Sequence, residues 1–185
     1  RGRQSRRPPG QGMEVFLDRL SGDRIIEAVK QSGVRTVLTV PDRMTEAGLL
    51  KPITADPEFR QIRVCKEDEA LGISAALSYS GQRAMLLFQY TGLLDSLNAV
   101  RAIAAEYSMP ICMMVGLHGK EPGVLPAESK HYAIRIIEPI LDTMGIARHL
   151  IETDADIPKI CPAIVSAYEN SKPVALLIGR SPVAP

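Results

Sequence analysis

Five short runs in this chain are almost continuously apolar: 35–40 (RTVLTV), 61–65 (QIRVC), 84–89 (AMLLFQ), 111–115 (ICMMV) and 174–178 (VALLI). A strand with one face in water alternates apolar and polar residues, whereas a run apolar at successive positions buries both faces. Strands of that kind belong to parallel sheets covered by helices on both sides. The intervening segments supply the helices. Residues 23–31 place Ile25, Ile26, Ala28 and Val29 on one side, follow Ser21 as a cap, and stop at Gly33. Helical patterns at 67–79, 93–107, 138–144 and 157–170 come next, with Pro158 tolerated in the first turn of the last. The order predicts an α/β fold: a doubly wound, mostly parallel sheet with helices on both faces.

No internal repeat or second domain is evident, so residues 13–185 are expected to form a single domain behind a tail of residues 1–12. That tail (RGRQSRRPPGQG) carries Arg1, Arg3, Arg6 and Arg7, no acid and no apolar residue, and is expected to be disordered. Taking its arginines from the 22 basic residues leaves 18 against 21 acidic ones, a body charge of −3. A body of that sign gives no electrostatic reason to expect nucleic acid. No apolar run approaches the roughly 18 residues needed to span a bilayer, and no secretory segment opens the sequence. A cytoplasmic location is therefore expected, away from the membrane. Cys65, Cys112 and Cys161 are far apart and form no CxxC pair, so reduced thiols and no metal site are expected.

Familiar motifs fail one by one. Gly116-Leu-His-Gly119-Lys120 lacks the glycine spacing of a phosphate loop and has Glu121 where Ser or Thr is needed. There is neither a GxGxxG fingerprint nor a GxSxG elbow. His118, His131 and His149 have no carboxylates at ligand spacing.

In an open parallel sheet, ligands bind outside the carboxyl ends of the strands. The first four predicted strands end, in turn, on Pro41-Asp42-Arg43, on Lys66-Glu67-Asp68-Glu69, on Tyr90-Thr91-Gly92 and on Gly116-Leu117-His118-Gly119. Each has an ordinary structural explanation: acids suit a helix start, Thr91-Gly92 suits a turn feeding a helix at Leu93, and a lone histidine suits a loop. Their convergence on one sheet edge is what suggests a site. The helix after Glu67 (ALGISAALSYSG) is rich in small residues, which suits close packing against either a partner subunit or its own sheet.

These stretches resemble the pyrimidine-binding domain of thiamine-diphosphate-dependent 2-oxo acid decarboxylases, most nearly the phosphonopyruvate and sulfopyruvate decarboxylases. The likeness rests on VPDRMTEAGLLKPI (40–53), VCKEDEALGISAALSYSG (64–81), LLFQYTGLLDSLNAV (86–100) and MPICMMVGLHG (109–119). It implies that Glu67 is the glutamate that shares a proton with the cofactor's aminopyrimidine and that His118 is catalytic. It further implies that Pro41, Thr91, Gly92 and Asn98 line the cofactor, and that Asp42, Arg43, His118 and His131 face the substrate. Arg43 is equally well explained as a solvated side chain. Ala76 and Leu94 stand where the family usually has glycine.

The family holds the diphosphate and its Mg2+ with a Gly-Asp-Gly motif, and none occurs here. The resemblance therefore implies an alpha subunit that works only with a beta subunit carrying the diphosphate-binding domain, in a hetero-oligomer with several copies of each chain. The implied reaction is decarboxylation of a small 2-oxo acid bearing a phosphonate or sulfonate. A carboligase of the acetolactate-synthase type and a non-catalytic structural or regulatory subunit of the same fold are the alternatives.

Overall fold

The computed structural model describes residues 19–184, and in them six strands form one sheet whose neighbours all run parallel. In chain order they are β1 (Thr36–Thr39), β2 (Arg60–Arg63), β3 (Ala84–Gln89), β4 (Cys112–Gly116), β5 (Ala147–Ile151) and β6 (Val174–Ile178). Side by side they read β2-β1-β3-β4-β6-β5. The predicted tail at 1–12 lies outside the described residues.

Side chains alternate across this sheet and meet a helical layer on each side. Val37, Met85, Leu87, Cys112, Met114 and Leu176 share a core with α1 (Gly22–Gln31), with α2 (Lys51–Ala55, entered through a π-helical turn at Glu46–Leu50) and with the last helix. Leu38, Leu86, Phe88, Met113, Val115 and Leu177 share the opposite core with α3 (Glu67–Tyr79), α4 (Tyr90–Asp95) and α5 (Leu97–Ala99, prolonged by the π-helical Val100–Glu106). The same layer includes α6 (Tyr132–Arg135) and α7 (Ile137–Thr143); the last helix, on the first side, is α8 (Ile160–Asn170). These strand residues are at most 1% exposed. Burial of each such side chain is worth about 1.5–3 kcal/mol, so the two cores dominate stability.

The doubly wound α/β fold is as predicted, with two departures at the sheet edges. Burial on both faces holds for β1, β3, β4 and β6 but not for β2, whose Arg60 and Arg63 are exposed and whose Gln61 and Ile62 are only half-buried. β5 (ARHLI) has no counterpart among the predicted strands. An edge strand pairs on one side only and has less need of a continuous apolar run, so its mixed pattern hid it.

Two local expectations also change. Ser21 occupies the cap position of α1, but its hydroxyl donates to Asp154 Oδ2 at 2.8 Å and its amide to Asp154 Oδ1 at 2.6 Å, so it ties two distant segments instead of capping. Helix α4 begins at Tyr90, directly on the strand, and the break falls at Ser96, where the hydroxyl donates to the carbonyl of Gly92 at 2.7 Å. A hydroxyl bonded back by one turn loosens and bends a helix. At the other end of α1, Gly33 adopts φ +83, the left-handed stop that the sequence requires there.

The connections set where a ligand can sit. The chain leaves β1 toward the α2 side and leaves β3 toward the α4 side. Neighbouring strands whose exits diverge leave a crevice at their carboxyl ends.

Candidate active site

Three acids open α3, and their environments differ. Glu69 Oε2 accepts the amide of Cys65 at 2.9 Å, and Asp68 Oδ1 accepts the amide of Glu69 at 2.9 Å, so both satisfy backbone donors around the helix start. Glu67 instead extends across to α4. Its carboxylate lies so close over the Gly92 backbone that a Cβ at position 92 would overlap it. This is a close approach that only glycine permits. Lys66 and Asp95 form an ion pair at 3.6 Å between the same two helix segments. Glu67 is half-buried in the single chain, and the neighbouring Thr91 is exposed.

At the end of β1, Pro41 and Arg43 are exposed, whereas Asp42 is 8% exposed. The Asp42 carboxylate accepts the amides of Met44 (2.6 Å) and Thr45 (3.1 Å) and the Thr45 hydroxyl. It thereby starts the π-helical turn at Glu46–Leu50. This turn leans on the end of β4, where a Cβ at Gly116 would stand 3.4 to 3.6 Å from Thr45, Met44 and Asp42. Asn98 is exposed on α5, and its amide oxygen accepts from Arg101 at 3.0 Å.

Beyond β4 the chain enters a loop, 117–131, that closes on itself. The loop starts with Leu117 donating to the carbonyl of Ile178 at 2.9 Å, which fixes it to the end of β6. Gly119 adopts φ +88, and a side chain there would stand 3.2 Å from His131 Nε2. His131 is thus folded back onto the turn that carries His118, and both histidines are exposed. Within the loop Glu121 accepts the Ser129 hydroxyl at 2.8 Å, and the same hydroxyl accepts the amide of His131 at 3.2 Å. The Ser129 hydroxyl holds the Glu121 carboxyl below the usual glutamate range, with help from backbone amides and Lys130.

Of the residues predicted for a site, the structure brings together Glu67 with Gly92, Asp42 with the β4 end, and the His118–Gly119 turn with His131. Glu67 is the acid turned toward Gly92, and Asp42 is engaged in its own turn. Sequence reasoning misses Lys120 and Glu152. The Lys120 side chain is wholly buried and pairs with Glu152 at 2.9 Å. In the sequence Lys120 belongs only to a failed phosphate-loop pattern, and Glu152 comes after the strand that has no apolar signature. Among the described residues, no group of three or more His, Cys, Asp or Glu side chains gathers as for a metal ion. Nor is any helix among them long and apolar enough to cross a membrane.

A parallel α/β sheet with an acid laid over a glycine at its carboxyl edge is consistent with the pyrimidine-binding domain of thiamine-diphosphate enzymes. Over 157 residues (84% of the chain) it is 27% identical to the sulfopyruvate decarboxylase of Methanosarcina acetivorans, spanning 39% of that protein's length. Over 154 residues (83% of the chain) it is 29% identical to sulfopyruvate decarboxylase subunit alpha of Methanocaldococcus jannaschii, spanning 89% of it. The corresponding subunit of Methanothermobacter thermautotrophicus is 27% identical over 108 residues, 58% of this chain and 65% of that one. No protein-family model matches. Over most of its length the chain is thus similar to sulfopyruvate decarboxylase alpha subunits.

Proposed function

We propose that this chain is the alpha subunit of a thiamine-diphosphate-dependent decarboxylase acting on sulfopyruvate or a closely similar 2-oxo acid. The observation that carries the reading is the Glu67 carboxylate resting on Gly92. A flat aminopyrimidine needs a carboxylate in reach of one ring nitrogen and, beside it, backbone with no side chain in the way. Glu67 and Gly92 supply both, so the residues fit the group.

Thiamine diphosphate, when bound, supplies the electron sink that lets a 2-oxo acid lose carbon dioxide. The Glu67 carboxyl would hold a proton at one ring nitrogen of the bound cofactor and take it back in each turnover. Gly92 and Thr91, in the first turn of α4, would leave room for the ring, and Pro41 and Asn98 would help to hold it. His118 and His131 offer hydrogen bonds to the substrate, and Arg43 offers charge to its anionic end.

Glu67 is half-buried in the lone chain, and a proton-transferring carboxyl works best when water is excluded. That favours a second surface closing over it: a beta subunit that holds the diphosphate through Mg2+, in a cytoplasmic hetero-oligomer. The exposed outer side of α3, with Gly72, Ala76 and Tyr79, suits such a surface.

The test uses the purified chain mixed with a diphosphate-binding partner chain, thiamine diphosphate, Mg2+ and sulfopyruvate. Release of carbon dioxide and the matching aldehyde, lost in Glu67→Gln, is the expected result. A ligated product in place of the aldehyde would make the chain a carboligase subunit. Unchanged turnover in Glu67→Gln would leave it a non-catalytic one.

A further inference from the structure

The most thoroughly anchored polar segment at the carboxyl edge is the loop that carries the histidines. Lys120, immediately after the His118-Gly119 turn, donates to Glu152 Oε1 at 2.9 Å and to the carbonyl of Glu121 at 3.0 Å. Its side chain has no solvent exposure, and that of Glu152 has 13%. The same Glu152 oxygen accepts the amide of Gly123 at 2.8 Å. One carboxylate oxygen therefore holds the loop by a side chain and by its backbone, three residues apart. Glu152 directly follows β5, the edge strand, so the loop is fastened across the ends of β4, β6 and β5. A side chain at Gly179 would crowd Leu150, Glu152 and Lys120 at 3.0 to 3.5 Å, so the ion pair is roofed tightly at the β6 end.

A buried charge pair is a poor way to gain stability, because desolvation offsets most of the attraction. In some proteins such a pair instead fixes geometry. What this pair fixes is the stretch between two histidines that are themselves exposed. We propose that Lys120 and Glu152 are positioning residues that hold the 117–131 loop so that His118 and His131 face the substrate. The assignment rests on the function proposed above; the clamp itself is a property of this chain alone.

The test has two arms. In the 185-residue chain, the imidazole signals of His118 and His131 are followed by NMR in wild type, in Lys120→Met, and in the double variant Lys120→Met/Glu152→Met. The double variant leaves no buried charge without a partner, so it keeps the fold where the single one fails. Both histidine signals are expected to move toward random-coil positions in the double variant while its circular dichroism stays unchanged. In the complex with the diphosphate-binding chain, the double variant is expected to raise KM for sulfopyruvate about tenfold and to keep kcat within roughly threefold. Restoring opposite charges by the swap Lys120→Glu/Glu152→Lys should bring KM part of the way back. Wild-type histidine signals in the double variant overturn the clamp. Displaced signals with an unchanged KM overturn its role in substrate placement. A wild-type complex that turns over no 2-oxo acid overturns the proposed function instead, and the histidine signals still decide the clamp.

Discussion

The two ends of the sheet's carboxyl edge hold their functional groups in different ways. Over β2 and β3, Glu67 is placed by shape: a helix start beside a glycine that admits a carboxylate and nothing larger. Over β4, β6 and β5, His118 and His131 are placed by charge, through the Lys120–Glu152 pair and the Glu121–Ser129 bond within their loop. A group held by shape is lost when a single methyl is added. A group held by charge is lost when a proton or a partner is removed. The two ends should therefore fail under different insults, which gives the contrast experimental content.

The largest effect is expected at the acid. Glu67→Gln in the reconstituted complex should lower turnover by about 10²- to 10⁴-fold while the melting curve stays in place, since removal of a proton-transferring group costs that range. Next is the clamp. Lys120→Met leaves Glu152 short of its cation in a largely buried place, and denaturant unfolding should show a loss of about 3 kcal/mol. A loss within error would mean that the pair is looser than its burial suggests.

Gly92→Ala sharpens the contrast from the other side. The added methyl would overlap the Glu67 Cγ, Cδ and Oε1, so the whole side chain would have to turn aside. Turnover should fall about tenfold or more, from misplacement alone. Stability should hold or rise by a few tenths of a kcal/mol, since alanine suits a helix better than glycine. Activity and melting temperature moving together would argue against a placement effect.

In the histidine loop the effect of pH should be smaller. The folded-state pKa of Glu121 lies below its ordinary value of 4.5, chiefly because of the Ser129 hydroxyl. Its contribution is therefore complete above that value and is lost as the pH falls through it and on through the lower folded value. Glu121→Gln should flatten the acid limb of a stability-against-pH curve below about pH 5 and leave the neutral plateau alone. The smallest signal concerns thiols. Burial pushes the Cys112 thiol up to about 12, so a maleimide on the isolated chain should mark exposed Cys65 and spare Cys112, as peptide mass mapping would read.

The same contrast explains what the sequence made visible. β1, β3, β4 and β6 could be read because a strand buried on both faces writes its environment into every residue, as AMLLFQ and VALLI do. β5 could not, since ARHLI, an edge strand with exposed Ala147, half-buried middle residues and buried Ile151, has a pattern compatible with a loop. An acid, a small-residue helix and a Thr-Gly pair at successive strand ends marked a site in the sequence, and the resemblance singled out Glu67 within it. Its separation from Glu69 becomes physical only with coordinates, where Glu69 turns back to the Cys65 amide. Lys120 and Glu152 are 32 positions apart and join through a strand pairing with no local signature, so nothing short of the folded sheet could match them.

The two limits of the described chain also meet. The amide of Gly22 donates to the carbonyl of Val183 at 2.9 Å, and the amide of Val183 donates to the carbonyl of Leu20 at 2.8 Å. Entry and exit are therefore neighbours, tied as two rungs of a short parallel ladder. A brief peptide tether could close them into a ring without passing through either core. New ends could then be cut at an exposed turn such as Gly81, and the reordered polypeptide should reach the same layered architecture.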